Sequence, residues 1–168
     1  MKKILILLLI VTLSSAYAFS QKAFRLPSID VKTIDGKTIN TNTFSNDGNP
    51  VIIDFCATWC HPCMQELDAI AEVYDDWQEE TGVKFIAVFV DDIRNSSKIG
   101  PLVNGKAWDY EVYLDPNKDF KRAMNVGNIP HTFLLNDKME VVWQHSAYSP
   151  GDENELYKMI VKLSGNKK

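Results

Sequence analysis

DFCATWCHPC, residues 54–63, carries all three cysteines of a 168-residue chain: Cys56, Cys60 and Cys63. Sulfur gathered in this way reads as a redox pair with a bystander, a metal or cluster site, or a structural staple. The flanks say where the motif sits. Asn49-Pro50 opens VIIDFC (51–56), a continuous apolar run of the kind seen in buried strands, interrupted by one charge at Asp54. After the cysteines Met64, Leu67, Ile70, Ala71, Tyr74 and Trp77 recur at helical spacing, and Thr81-Gly82 ends the pattern. The CxxC is therefore placed where a buried strand turns into one long amphipathic helix over residues 61–80.

Working outward, KFIAVFVD (84–91) is a second apolar run, parallel to the first if residues 61–80 form a crossover helix. Residues 95–107 read as a helix, EVYLD (111–115) as a short strand, and KDFKRAM (118–124) as a further helical turn or two. Ile129-Pro130-His131 leads into TFLLN (132–136), and Asn136-Asp137-Lys138 turns the chain into the hairpin partner MEVVWQH (139–145). Ser149-Pro150-Gly151-Asp152 introduces a terminal helix whose apolar stripe is Leu156, Met159, Ile160 and Leu163. Towards the N-terminus IDVKTIDGKTIN (29–40) alternates apolar and polar residues around Asp35-Gly36, the pattern of a β-hairpin. Strand, helix, strand, helix, then hairpin and helix describe a layered α/β domain.

The first residues bear on compartment. Lys2 and Lys3 precede an apolar run from Ile4 to Leu13, followed by SSAYA with an A-x-A site at Ala16, Tyr17 and Ala18. This is the layout of a signal peptide over residues 1–18, cleaved after Ala18 or after Ser20, leaving a domain over 19–168 and a periplasmic or secreted location. The run is shorter than the roughly 20 residues of a spanning helix; an uncleaved anchor reaching Phe19 is the alternative. No cysteine lies near the cleavage site, which argues against a lipid anchor. The formal charge of −4 becomes two units more negative without Lys2 and Lys3. An acidic surface free of Lys/Arg clusters argues against nucleic acid or an anionic membrane face as partner.

DFCATWCHPC after a buried strand, followed about seventy residues later by IPHTFLL, resembles the thioredoxin superfamily. The N-terminal hairpin and the extra helix near 95–107 resemble its secreted TlpA/ResA branch, and the similarity runs from about Phe24 to Leu163. The resemblance implies a thioredoxin-like fold: a central mixed sheet flanked by helices, with an N-terminal β-hairpin extension. It implies a thiol-disulfide oxidoreductase without bound cofactor or metal, acting on protein thiol and disulfide substrates; a monomer is the expectation for its oligomeric state. It favours a reductase, recharged by a membrane electron-donor protein, that keeps thiols of apocytochromes or metal-binding proteins reduced. Oxidase or isomerase activity is the alternative that His61 leaves open.

The chemistry of the residues agrees. A helix N-terminus stabilises a thiolate, so Cys60, at or before the first turn, is the expected nucleophile. Cys63 is expected to resolve the mixed disulfide, making Cys60 and Cys63 a redox-active pair. A purely structural bridge is disfavoured because so short a loop removes little entropy from the unfolded chain. Pro62 fits the first helical turn without losing a hydrogen bond, and a protonated His61 tunes a neighbouring thiolate. With Cys56 the spacing becomes C-x3-C-x2-C, which also matches radical iron–sulfur enzymes; those resemble α/β barrels, commonly of roughly 200 residues or more, and work in reducing compartments. Cys56-x3-Cys60 also echoes copper-delivering thioredoxin-fold proteins, with His131 or His145 completing a Cu(I) site. The resemblance instead aligns Cys60 and Cys63 with the helix-start pair and leaves Cys56 in the strand as a small buried thiol, an auxiliary redox thiol or metal ligand being the alternatives.

Asp54 is costly inside an apolar strand without a partner or a task. The resemblance places it beneath the resolving cysteine as a proton acceptor, its pKa raised by burial; a hydrogen bond from a hydroxyl such as Thr58 is the plainer alternative. Glu66, one helical turn after Cys63, matches the glutamate of CxxCxxE in ResA-like proteins, or is a solvated helix-face residue. Pro130 would be the cis-proline facing the CxxC, with Ile129, His131, Trp59, His61 and Pro62 lining the substrate groove. His131 as an ordinary loop histidine and Pro130 as a trans proline are the alternatives. Trp77, Trp108 and Trp143 read as packing residues, and Asp75, Asp76, Glu79 and Glu80 as a solvated helix face.

Overall fold

The computed structural model describes residues 24–165, and the expected signal segment lies outside them. A hairpin of β1 (Asp30–Thr33) and β2 (Thr38–Asn40) leads to β3 (Val51–Cys56), α1 (His61–Ala71), α2 (Tyr74–Thr81) and β4 (Lys84–Phe89). A 3-10 turn and α3 (Ile99–Lys106) precede β5 (Glu111–Leu114) and α4 (Asp119–Ala123). The chain ends with the pair β6 (His131–Leu135) and β7 (Val141–Ser146), then α5 (Asp152–Gly165). The strands form one mixed sheet in the order β2-β1-β5-β4-β3-β6-β7. β3, β4 and β5 run parallel, and the outer neighbours β1 and β6 pair antiparallel to them. The fold class is thus the thioredoxin-like α/β arrangement, with the N-terminal hairpin joined to the β5 edge.

Every residue of β3 is buried, which explains its unbroken apolar run at the centre of the sheet. Alternation divides its side chains. Phe55 packs with Phe120 and Phe133 at centroid distances of 4.9 and 6.0 Å, on the face covered by α4. Ile52, Asp54 and Cys56 face the other way, the side on which Tyr74, Phe85 and Tyr110 pack. There Trp77 of α2 stacks on Tyr157 of α5, joining two of the covering helices.

The expected single helix over 61–80 is two. Val73 adopts φ −122° and ψ −2°, and its N–H reaches the Ile70 carbonyl at 3.0 Å. A β-branched residue resists the interior helical geometry, and the break aims the Tyr74 hydroxyl at the Phe85 N–H, 3.2 Å away. Both helices keep their apolar residues towards the sheet, so the spacing alone did not reveal the interruption. α2 then stops at Gly82, whose left-handed φ of +67° ends it as glycine commonly does.

Candidate active site

The β3–α1 loop is tied down at both ends. Val90 N–H donates to the Cys56 carbonyl (2.9 Å), and Cys60 N–H to the Ala57 carbonyl (3.0 Å). Between them Thr58 gives two hydrogen bonds to buried Asp91, from its N–H at 3.0 Å and its hydroxyl at 2.5 Å. The alternative in which Thr58 satisfies Asp54 does not occur, because Thr58 is committed to Asp91. Sequence reasoning passed over Asp91; its signal was an acid ending the second parallel apolar run, beside the strand that carries the motif.

Cys60 is the N-cap of α1, in extended conformation, and its Sγ accepts the Cys63 N–H at 3.3 Å. Pro62 occupies the first turn, where its missing donor costs nothing. Cys60 and Cys63 form a disulfide with Cα atoms 5.3 Å apart. Cys60 keeps 6% of its surface exposed and Cys63 none, so approach from solvent is to Cys60. His61 between them is exposed.

Behind the pair lie two buried carboxyls. Asp54 is in register with Thr132 of β6, and Glu66 follows Cys63 by one turn of α1. The Thr132 hydroxyl donates to Glu66 Oε1 at 2.6 Å and stands 3.4 Å from Asp54 Oδ1. All three residues are buried, and Asp54 Oδ2 and Glu66 Oε2 have no partner. Burial, followed by the charge of Glu66, holds the Asp54 pKa well above the usual carboxylate range. Burial also raises Glu66 to about 7, with the Thr132 hydrogen bond opposing and the acidic Asp152 and Glu153 adding to the rise. Glu66 is therefore not a solvated helix-face residue. Thr132, which unites the two acids, went unnoticed in the sequence. The sign that pointed to it is positional: it faces the same way as Asp54 on the adjoining strand.

The remaining candidates separate. Cys56 is fully buried and its thiol donates to the Val88 carbonyl at 3.7 Å; burial and the charges of Asp54, Asp91 and Glu66 push its pKa up. His131 faces the other side of the sheet, stacked on Phe133 with Nε2 3.2 Å from Gln144 Oε1, and burial lowers its pKa. His145 stacks on Trp143 with Nε2 3.4 Å from Asp152. Among the described residues no group of three or more His, Cys, Asp or Glu side chains is arranged to hold a metal ion. The Ile129–Pro130 peptide is cis. Ile129 and the exposed Trp59 line a surface hollow with Val90, Lys118 and Lys121.

Known proteins share this framework. The AhpC/TSA family model matches residues 23–144. The chain is 28% identical over 140 residues to sporulation thiol-disulfide oxidoreductase A of Bacillus subtilis (strain 168), covering 82% of each. It is 33% identical over 97 residues to thiol-disulfide oxidoreductase ResA of the same organism, an alignment spanning 56% of this chain and 51%, about half, of that protein. Among solved structures, an uncharacterized thioredoxin-like protein from Porphyromonas gingivalis superimposes with a TM-score of 0.77 at 47% identity, over 88% of this chain and 97% of that one. StoA of Bacillus subtilis superimposes at 0.62 with 24% identity, over 79% and 97%, which speaks to fold alone. With its cysteine pair at the start of α1, the chain belongs to the AhpC/TSA family and is a thioredoxin-like thiol-disulfide oxidoreductase.

Proposed function

We propose that this oxidoreductase works outside the cytoplasm as a reductase of protein disulfides, with Cys60 as nucleophile and Cys63 as resolving thiol. The observation that carries the assignment of roles is the cap geometry: Cys60 lies at the open end of α1 with some exposure, while Cys63 has none. In the reduced enzyme the Cys60 thiolate, favoured by the helix terminus, attacks one sulfur of a client disulfide. A Cys60–client bond forms, the client S–S bond breaks, and the leaving client thiolate takes a proton from water. Cys63 then gives its proton to Asp54, its thiolate attacks Cys60 Sγ, and the second client thiolate leaves and is protonated. The enzyme is left as the Cys60–Cys63 disulfide, and two electrons have passed to the client. Client polypeptide lies along Trp59, His61, Pro62, Ile129, Pro130 and His131, and a membrane electron-donor protein restores the dithiol. The N-terminal basic and apolar segment supports the location, and the resemblance to the TlpA/ResA branch favours the direction.

Equilibration in graded dithiol and glutathione buffers, with free thiols alkylated and mapped by mass spectrometry, tests the direction. A Cys60–Cys63 couple at or below about −230 mV is the outcome expected of a reductase. A couple between about −120 and −180 mV would make it an oxidase or isomerase.

A further inference from the structure

We propose that Thr132 is a positioning residue of the exchange reaction: its hydroxyl ties Asp54 to Glu66 so that the two carboxyls hold one proton between them and relay it from Cys63 towards the first turn of α5. The proposal rests on Asp54 as acceptor of the Cys63 proton and adds how that acceptor is emptied.

A hydroxyl has one hydrogen to give and lone pairs to receive. Placed between two carboxyls, Thr132 is fully used when one of them is ionised and accepts its hydrogen while the other is protonated and donates to its oxygen. The short contact at 2.6 Å falls on Glu66 and the longer one at 3.4 Å on Asp54, which assigns the ionised role to Glu66 and the proton to Asp54. Two buried carboxylates with unpartnered oxygens cannot both carry charge cheaply. The raised pKa of each is in keeping with one shared proton.

The surroundings give the relay a direction. Around Asp54 stand Cys56 of its own strand, Tyr110 just before β5 and the His131 backbone, all within or beside the sheet. Around Glu66 stand Asp152 and Glu153 of α5, both half-buried. Tyr148 donates to Glu153 at 2.8 Å, and His145, in register with Thr132, lies 3.4 Å from Asp152. Before resolution the Asp54 proton passes to the Thr132 oxygen as the Thr132 hydrogen passes to Glu66. The freed Asp54 carboxylate takes the Cys63 proton, Cys63 attacks Cys60, and Glu66 releases its proton to water at the α5 end. One proton leaves by this route, and the departing client thiolate takes one from solvent.

The test compares wild type, Thr132→Val and Thr132→Ser in full-length reduced protein. Resolution of a preformed Cys60–client disulfide is followed across pH 6 to 9, and Asp54 and Glu66 are titrated by 13C NMR of labelled carboxyls. Thr132→Val is expected to raise both titrations and to slow resolution at pH 7 about tenfold, a shift of roughly one pH unit; Thr132→Ser restores both. A Thr132→Val profile superimposable on wild type overturns the proposal. Should that variant not fold, Glu66→Gln decides: Asp54 is expected to titrate lower once the neighbouring charge is gone, and an unmoved Asp54 overturns the relay. Absence of any exchange in the wild-type control would instead count against the oxidoreductase reading itself.

Discussion

Cys60 and Cys63 differ by only a few per cent in exposure, and the proposed order of events rests on that difference. On the proposed roles a client sulfur reaches Cys60 first, and Cys63 acts on what Cys60 has captured. Cys63→Ser is therefore expected to accumulate a stable mixed disulfide with client protein, visible on non-reducing gels and by mass spectrometry. Cys60→Ser should accumulate none; adducts through Cys63 would reverse the assignment. At this scale the sequence was informative where a residue broke a pattern. Asp54 stood out as a charge in an apolar strand, and Glu66 as an acid one turn past the motif. Thr132 broke nothing, since threonine is an ordinary strand residue, and its position between two acids is a property of register.

Elements hold these residues through their ends rather than their middles. α2 stops because Gly82 takes φ +67°, and Asn46 donates to the Gly82 carbonyl at 2.8 Å, fastening the start of β4 to the loop before β3. A Cβ at Gly82 would also come within 3.1 Å of the Asn49 side chain. Gly82→Ala is expected to cost about 1–2 kcal/mol, read as a lower denaturation midpoint at unchanged m-value. A neutral substitution would mean that this turn relaxes freely. The elements themselves were legible from periodicity because each has one buried face. The break at Val73 was not, because both halves bury the same stripe. The segment before β1 was equally silent: Leu26 N–H donates to the Met139 carbonyl and Val141 N–H to the Phe24 carbonyl, tying it to the β7 side of the sheet. Backbone bonds of this kind leave no mark in side-chain pattern.

For the molecule as a whole, a buried pair of acids makes folding depend on pH. Glu66 has an ordinary value of 4.5 and a folded value of about 7, so between those limits the native state holds more proton than the unfolded chain. Stability is then full below the unfolded value and is lost as pH rises through the folded one. Raised in the same direction, Asp54 adds to the loss. Thermal or urea unfolding should show the protein weaker at pH 8 than at pH 4.5, by on the order of 3 kcal/mol from Glu66. Glu66→Gln should flatten much of that slope, and an unchanged slope would remove Glu66 as its source. The sealed Cys56 thiol has a consequence of another kind. Three sulfurs admit three pairings, but a fully buried thiol with a raised pKa is a poor attacking group and an inaccessible target. The protein therefore behaves as a two-state electron cell: it is either charged or empty, with no scrambled isomer in which its electrons are misfiled.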